Sequence, residues 1–139
     1  MGIAENKALV HRFYDELWND ANYRTIGEIL SPEAVFHGSL AVGKTGHEGF
    51  IENAELVRAA FPDFHSTVEE IIAEGDRLAA CLTYRGTHQG EIFGIEPTWR
   101  PVSYAGVAIF VVNEGLIGQV WMLGDRLELI QQLTDDGPV

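Results

Sequence analysis

The stretch HSTVEEIIAEGDRLAACLTYRGTH, residues 65–88, decides the fold. Two runs rich in β-branched and apolar residues, His65 to Ala73 and Arg77 to His88, are separated by Glu74-Gly75-Asp76. A glycine-containing turn between two strand-like runs predicts a hairpin. In the second run Leu78, Ala80, Leu82, Tyr84, Gly86 and His88 fall on one side, as the period of two in a strand requires. The pattern repeats downstream. Val102 to Val112 sets Val102, Tyr104, Gly106, Ala108 and Phe110 on one face, and Leu116 to Gly124 follows after the turn Asn113-Glu114-Gly115. The second half of the chain therefore reads as sheet.

Upstream the period becomes that of a helix. Leu9, Phe13 and Leu17 form one i, i+4 row with Val10, Tyr14 and Trp18 beside it, a wide aromatic face suited to burial. A shorter helix carries Ile26, Ile29 and Leu30. It is expected to stop at Ser31-Pro32, because proline disfavours helical geometry in the residue before it, and Ala34 to His37 then reads as a short strand. The segment HEGFIENAELVRAAF, residues 47–61, places Phe50, Ala54, Val57 and Phe61 on one helical face, and Pro62 ends it. Arg126 to Leu133 reads as a closing helix, with residues 134–139 as a flexible tail. Helices first and tightly turned strands afterwards predict a single α+β domain over residues 1–139, with helices covering one face of a mostly antiparallel, curved sheet.

Composition narrows the partners. A chain of 139 residues can bury a core without disulfide or metal support, and no apolar run approaches the roughly 20 residues that span a bilayer. No membrane partner is expected. The start MGIAENKALV lacks the basic residues and apolar core of a signal peptide, so a cytoplasmic location is expected. The net charge of -12 is spread along the chain without a Lys/Arg cluster, which argues against nucleic acid. An apolar pocket for a neutral small molecule stays open. Cys81, the single cysteine, has apolar strand neighbours and reads as a packed thiol.

Strong catalytic signatures are absent: there is no Walker loop, GxGxxG, GxSxG, paired-cysteine or HExxH spacing. His11, His37, His47, His65 and His88 are scattered over different elements, so no metal site is predicted. Aromatic residues come from nearly every element and suit either a filled core or the walls of a cavity. Asp125 sits where VWMLGDRLELIQQL, residues 120–133, changes from strand to helical spacing. Two readings apply to it. Asp-x-x-Glu, with Glu128 in the third helical position, has the spacing of a capping box. Strand alternation instead groups Asp125 with Leu123, Trp121 and Gln119, and a carboxylate among apolar residues loses hydration and becomes a competent proton carrier near neutral pH. Tyr84, Tyr104 and His37, at the end of its short strand, are candidate hydrogen-bond donors to a substrate carbonyl.

From ENKALVHRFYDELWN through AAFPDFHSTVEEIIAEGDRLA to the end, the chain resembles the SnoaL-like polyketide cyclase (ester cyclase) family, of nuclear transport factor 2-like fold. The most specific pieces are GTHQGEIFGIEPTWRPVS, residues 86–103, and DRLELIQQL, residues 125–133. The resemblance implies a cone-shaped α+β barrel, a strongly curved sheet closed by N-terminal helices around a deep apolar pocket, in a homodimer. It implies a hydrophobic, polyketide-like substrate closed by an intramolecular aldol reaction without metal or organic cofactor. The family's acid-base aspartate matches Asp125, with His37 and Tyr104 as expected helpers. Tyr14, Trp18, Phe36, Phe61, Tyr84, His88, Phe110 and Trp121 are the expected pocket residues. Family cyclases carry a glutamine and a histidine where Gly106 and Ala108 stand here, and an asparagine where His37 stands. A hydrolase or dehydratase on the same scaffold, and a non-catalytic binder of hydrophobic ligands, are the alternatives.

Overall fold

The computed structural model describes residues 2–38 and 45–134. Helix α1 (Ile3–Arg12) runs directly into a π-helical segment, Phe13–Asn19, followed by a single 3-10 turn, Tyr23–Thr25, and the short α2 (Ile26–Ile29). All six residues of the predicted aromatic face, from Leu9 to Trp18, are buried. The π geometry is a departure from the expected α-helix: the Asp20 N–H reaches back to the Asp15 carbonyl at 3.1 Å, one residue further than in an α-helix.

The helical stretch also ends earlier than Ser31-Pro32 suggests. Leu30, expected in the helix, opens strand β1 (Leu30–Gly38), which is longer than the expected Ala34 to His37. Pro32 is tolerated there because β1 is an edge strand whose pairing is irregular between Leu30 and Val35. Helix α3 (Gly46–Ala60) buries Phe50, Ala54 and Val57 as predicted, and Phe61 is its buried C-cap. Strands β2 (His65–Glu74), β3 (Arg77–Thr87), β4 (Pro101–Asn113) and β5 (Leu116–Gly124) follow the predicted runs closely. Helix α4 (Arg126–Thr134) includes Thr134, whose hydroxyl donates to the Ile130 carbonyl; the rest of the expected tail lies outside the described residues.

The strands form one sheet in the order β1-β5-β4-β3-β2, with β1 parallel to β5 and the other neighbours antiparallel. Among the described residues pairing does not close the sheet, so β1 and β2 are its outermost strands, and helices complete the enclosure. The inner face carries Leu78, Ala80, Leu82, Tyr84, Tyr104, Ala108, Phe110 and Val120, all buried. Phe13 meets Phe50 and Phe110 there at 5.4 and 5.5 Å between ring centres.

The outer face sets an apolar row among charged residues, Glu70, Arg77 and Arg85 among them. Cross-strand pairing aligns Ile72, Ala79, Ile109, Trp121 and His37 in a single row over all the strands. Cys81, expected to be packed, is exposed on this outer side, paired with Val107. Among the described residues no helix is long and apolar enough to cross a membrane.

Candidate active site

A pocket lies between the helices and the inner sheet face. The π-helical segment supplies Tyr14 and Trp18, α3 supplies Asn53 and Val57, and the connection before β2 supplies Phe64. The sheet adds Tyr84 from β3, Tyr104 from β4, and Met122 and Gly124 from β5. No charged side chain is among them. The free volume is about 40 Å³, room for a few waters. A ligand must therefore displace side chains, and the unbranched Met122 is the most compliant of them.

Three phenols meet at this pocket. Tyr84 packs between Phe64, stacked at 5.6 Å, and Tyr104 at 5.2 Å. Burial pushes the Tyr84 phenol up to about 12. Burial, with Tyr84 nearby, also raises Tyr104 and Tyr14 above the ordinary tyrosine range. All three stay protonated near neutral pH and can donate. The Trp18 indole N–H is buried without a hydrogen-bond partner among the described residues, and the Tyr14 hydroxyl faces that of Tyr84.

The glycines make room for these rings. A Cβ at Gly106 would lie 2.2 Å from Tyr84 Cε2, and one at Gly124 would lie 3.3 Å from Tyr104 Cε2. Both glycines face inward and pair with each other across β4 and β5.

Of the expected pocket residues, Tyr14, Trp18 and Tyr84 line the cavity, joined by Tyr104. Phe36, Phe61 and Phe110 do not; their rings pack against other aromatic residues of the core, Phe36 on Phe50, Phe61 on Phe64 and Phe110 on Phe13. His88 is fully buried just beyond the end of β3 and does not line the cavity. Its Nδ1 accepts from the Thr98 N–H at 3.1 Å, which pins the far end of the loop between β3 and β4. His37 and Trp121 stack at 4.8 Å on the outer face. Trp121 pairs with the exposed Ile109, so both side chains point away from the pocket.

Asp125 follows the lining residue Gly124 by one peptide. The Glu128 N–H donates to Asp125 Oδ1 at 3.1 Å, the Leu129 N–H donates to the Asp125 carbonyl at 3.1 Å, and the Asp125 N–H donates to the Ala105 carbonyl at 2.8 Å. The aspartate thus caps α4. Glu128 does not complete a capping box: the Asp125 N–H that it would accept from is spent on the Ala105 carbonyl, and its carboxylate accepts from Gln132 Nε2 at 2.9 Å. Asp125 is exposed and lies past the end of β5, so strand alternation does not extend to its side chain; Leu123 and Trp121 hold the outward phase, and Met122 and Gly124 the inward one. Beside it, the Arg126 guanidinium lies 4.4 Å over the Phe93 ring and ties the β3–β4 loop to the start of α4.

Asn53, Val57, Phe64, Met122 and Gly124 were not foreseen in the pocket, Val57 being expected only on the buried face of its helix. Asn53 had a legible signal, a polar residue three positions after Phe50 on an otherwise apolar helical face, and it is 4% exposed. Phe64 lies in an aperiodic connection and had none. Among the described residues no three His, Cys, Asp or Glu side chains are grouped as a metal site requires.

A family model described as SnoaL-like polyketide cyclase matches residues 8–133. No curated protein matches the sequence. Among solved structures, IdmH of Streptomyces antibioticus, provisionally named a polyketide cyclase, is 28% identical over 92% of this chain and 97% of its own, with a TM-score of 0.81. TsrD of Streptomyces laurentii is 27% identical over 96% and 98%, with a TM-score of 0.85. AclR of Streptomyces galilaeus, provisionally named a hydroxylase, is 29% identical over 99% of this chain and 87% of its own, with a TM-score of 0.82.

Proposed function

The chain belongs to the SnoaL-like polyketide cyclase family, and from that premise we propose a cofactor-independent enzyme that closes a ring in a small hydrophobic, polyketide-like substrate, with Asp125 moving the proton. The observation that carries this reading is the aromatic, uncharged pocket that runs to Gly124, the residue before Asp125. Asp125 spends Oδ1 on the Glu128 N–H, and Oδ2 has no hydrogen bond among the described residues.

The chemistry needs one carboxylate. A proton between two carbonyls is already acidic, and Asp125 removes it. The enolate carbon then attacks a ketone carbon of the same molecule, and the aspartic acid returns the proton to the new alkoxide. The Tyr104 hydroxyl, protonated and buried, donates to the carbonyl oxygen on which charge gathers. The aromatic walls hold a flexible chain folded, which lowers the entropic part of the barrier.

Mass spectrometry of the products formed from aromatic polyketide esters tests this reading. Cyclisation gives a product of unchanged mass; a product lighter by one water would replace it with a dehydratase, and the free acid, formed by gain of water and release of the alcohol, with a hydrolase. A second reading, a non-catalytic binder, is favoured by the absence of Asp, Glu or His from the lining; it predicts retention of the ester with no product at all.

The enzyme is further proposed to act as a homodimer. A protein of charge -12 repels its own copies, so self-association is favoured at an apolar patch. The outer sheet face, where Ile72, Val107, Ile109 and Leu123 are exposed beside charges of both signs such as Glu70 and Arg85, supplies one.

A further inference from the structure

Position 106 and Tyr84 compete for one volume. A Cβ built on Gly106 meets Tyr84 Cε2 at 2.2 Å, Cζ at 2.9 Å and the hydroxyl oxygen at 3.0 Å. The hydroxyl end of Tyr84 therefore stands where an inward side chain at 106 would begin. A chain with a longer residue at 106 cannot hold Tyr84 in this place. The ring is also fixed rather than free to swing, with Phe64 stacked on it and Tyr104 tilted against it.

A second phenol lies close by. Tyr14 is 1% exposed, and its hydroxyl is near enough to that of Tyr84 to donate a long hydrogen bond to it. With the Tyr14 O–H directed at the Tyr84 oxygen, the Tyr84 O–H is the one left to donate, and it is complementary to an oxygen that accepts from it. No cation lines the pocket to receive a carboxylate or phosphate. The complementary group is a neutral carbonyl, which gains most from donors placed where water is excluded.

We propose that the Tyr84 hydroxyl, seated over Gly106 and beside that of Tyr14, is the donor that holds a ligand carbonyl oxygen in this pocket. The assignment rests on the reading of this cavity as the substrate site. It adds the residue that positions the carbonyl and explains what occupies the space left by the small residue at 106. Burial keeps the donor protonated, as it pushes the Tyr84 phenol up to about 12.

The test uses carbonyl-labelled acetophenone and its isostere α-methylstyrene, in which a methylene group replaces the oxygen. In the wild-type protein the bound carbonyl carbon moves downfield in the NMR spectrum. Tyr84→Phe abolishes that movement and weakens acetophenone about tenfold, the value of one lost hydrogen bond to a buried acceptor. The same substitution leaves α-methylstyrene within about twofold, since the ring and its packing remain. Gly106→Ala, which evicts the phenol without deleting it, reproduces the loss for acetophenone. Equal weakening of both probes by Tyr84→Phe, an unmoved carbonyl signal, or no binding of acetophenone to the wild-type protein overturns the proposal. Acetophenone binding is read on Tyr84→Phe and formation of cyclised product on Asp125→Asn, so failure of the donor assignment and failure of the proton-transfer reading are separately visible.

Discussion

Asp125 performs structural work that must be separated from any chemistry. Its Oδ1 satisfies the Glu128 N–H at the start of α4, and loss of such a cap costs about 1 kcal/mol. Asparagine caps as well as aspartate does. Urea unfolding should therefore find Asp125→Ala destabilised by about 1 kcal/mol and Asp125→Asn nearly unchanged. Tyr84 gives a second prediction at this scale. Its folded-state ionisation is raised to about 12, against about 10 for an unperturbed tyrosine. Its contribution is complete below the unfolded value and disappears as pH rises through the folded one. Stability should therefore decline between about pH 10 and about pH 12, and alkaline denaturation should show a shallower decline for Tyr84→Phe. The cap at Asp125 was legible from its spacing to Glu128, but the face was not. Alternation fixes which residues share a side, and with apolar residues on both sides of β5 it does not tell inside from outside. Only the pairing of Trp121 with the exposed Ile109 resolves the phase.

The pocket is assembled by elements whose types were only partly readable. The strand runs emerged clearly because alternation and glycine turns agree. The π-helical segment did not, since residues spaced by four, such as Tyr14 and Trp18, lie close together in an α-helix too. The loop in GTHQGEIFGIEPTWRPVS was also opaque. His88 extends the inward phase of β3 by count, yet the strand ends at Thr87 and the imidazole accepts from Thr98. Strand β4 carries the sharpest prediction at this scale. Gly106→Ala should cost about 1–3 kcal/mol, the usual penalty for overpacking, because its Cβ would fall 2.2 Å from the Tyr84 ring. The penalty should shrink in a Tyr84→Leu background, where no ring edge reaches position 106. A denaturant double-mutant cycle measures that coupling, and equal costs in both backgrounds would refute the steric exchange.

At the scale of the molecule, the two faces of one sheet have different uses. The inner one packs against α1, the π-helical segment and α3 and leaves the pocket between them. The outer one presents the Ile72, Ala79, Ile109, Trp121 and His37 row, and the account assigns it to a second copy. Ile109→Glu places a charge at the centre of that row and should convert a dimer to a monomer in light scattering; an unchanged molar mass would move the interface elsewhere. The α+β class and the order of the strands' runs followed from periodicity, whereas the parallel pairing of β1 with β5 depends on contacts between distant segments that no local pattern encodes. The central claim, that Asp125 transfers the proton in this pocket, is tested most directly by comparing turnover and ligand affinity in wild-type protein and Asp125→Asn. The account predicts that cyclised product falls by at least about a hundredfold while the substrate still binds and α4 stays capped. Undiminished turnover in a folded Asp125→Asn protein would contradict it.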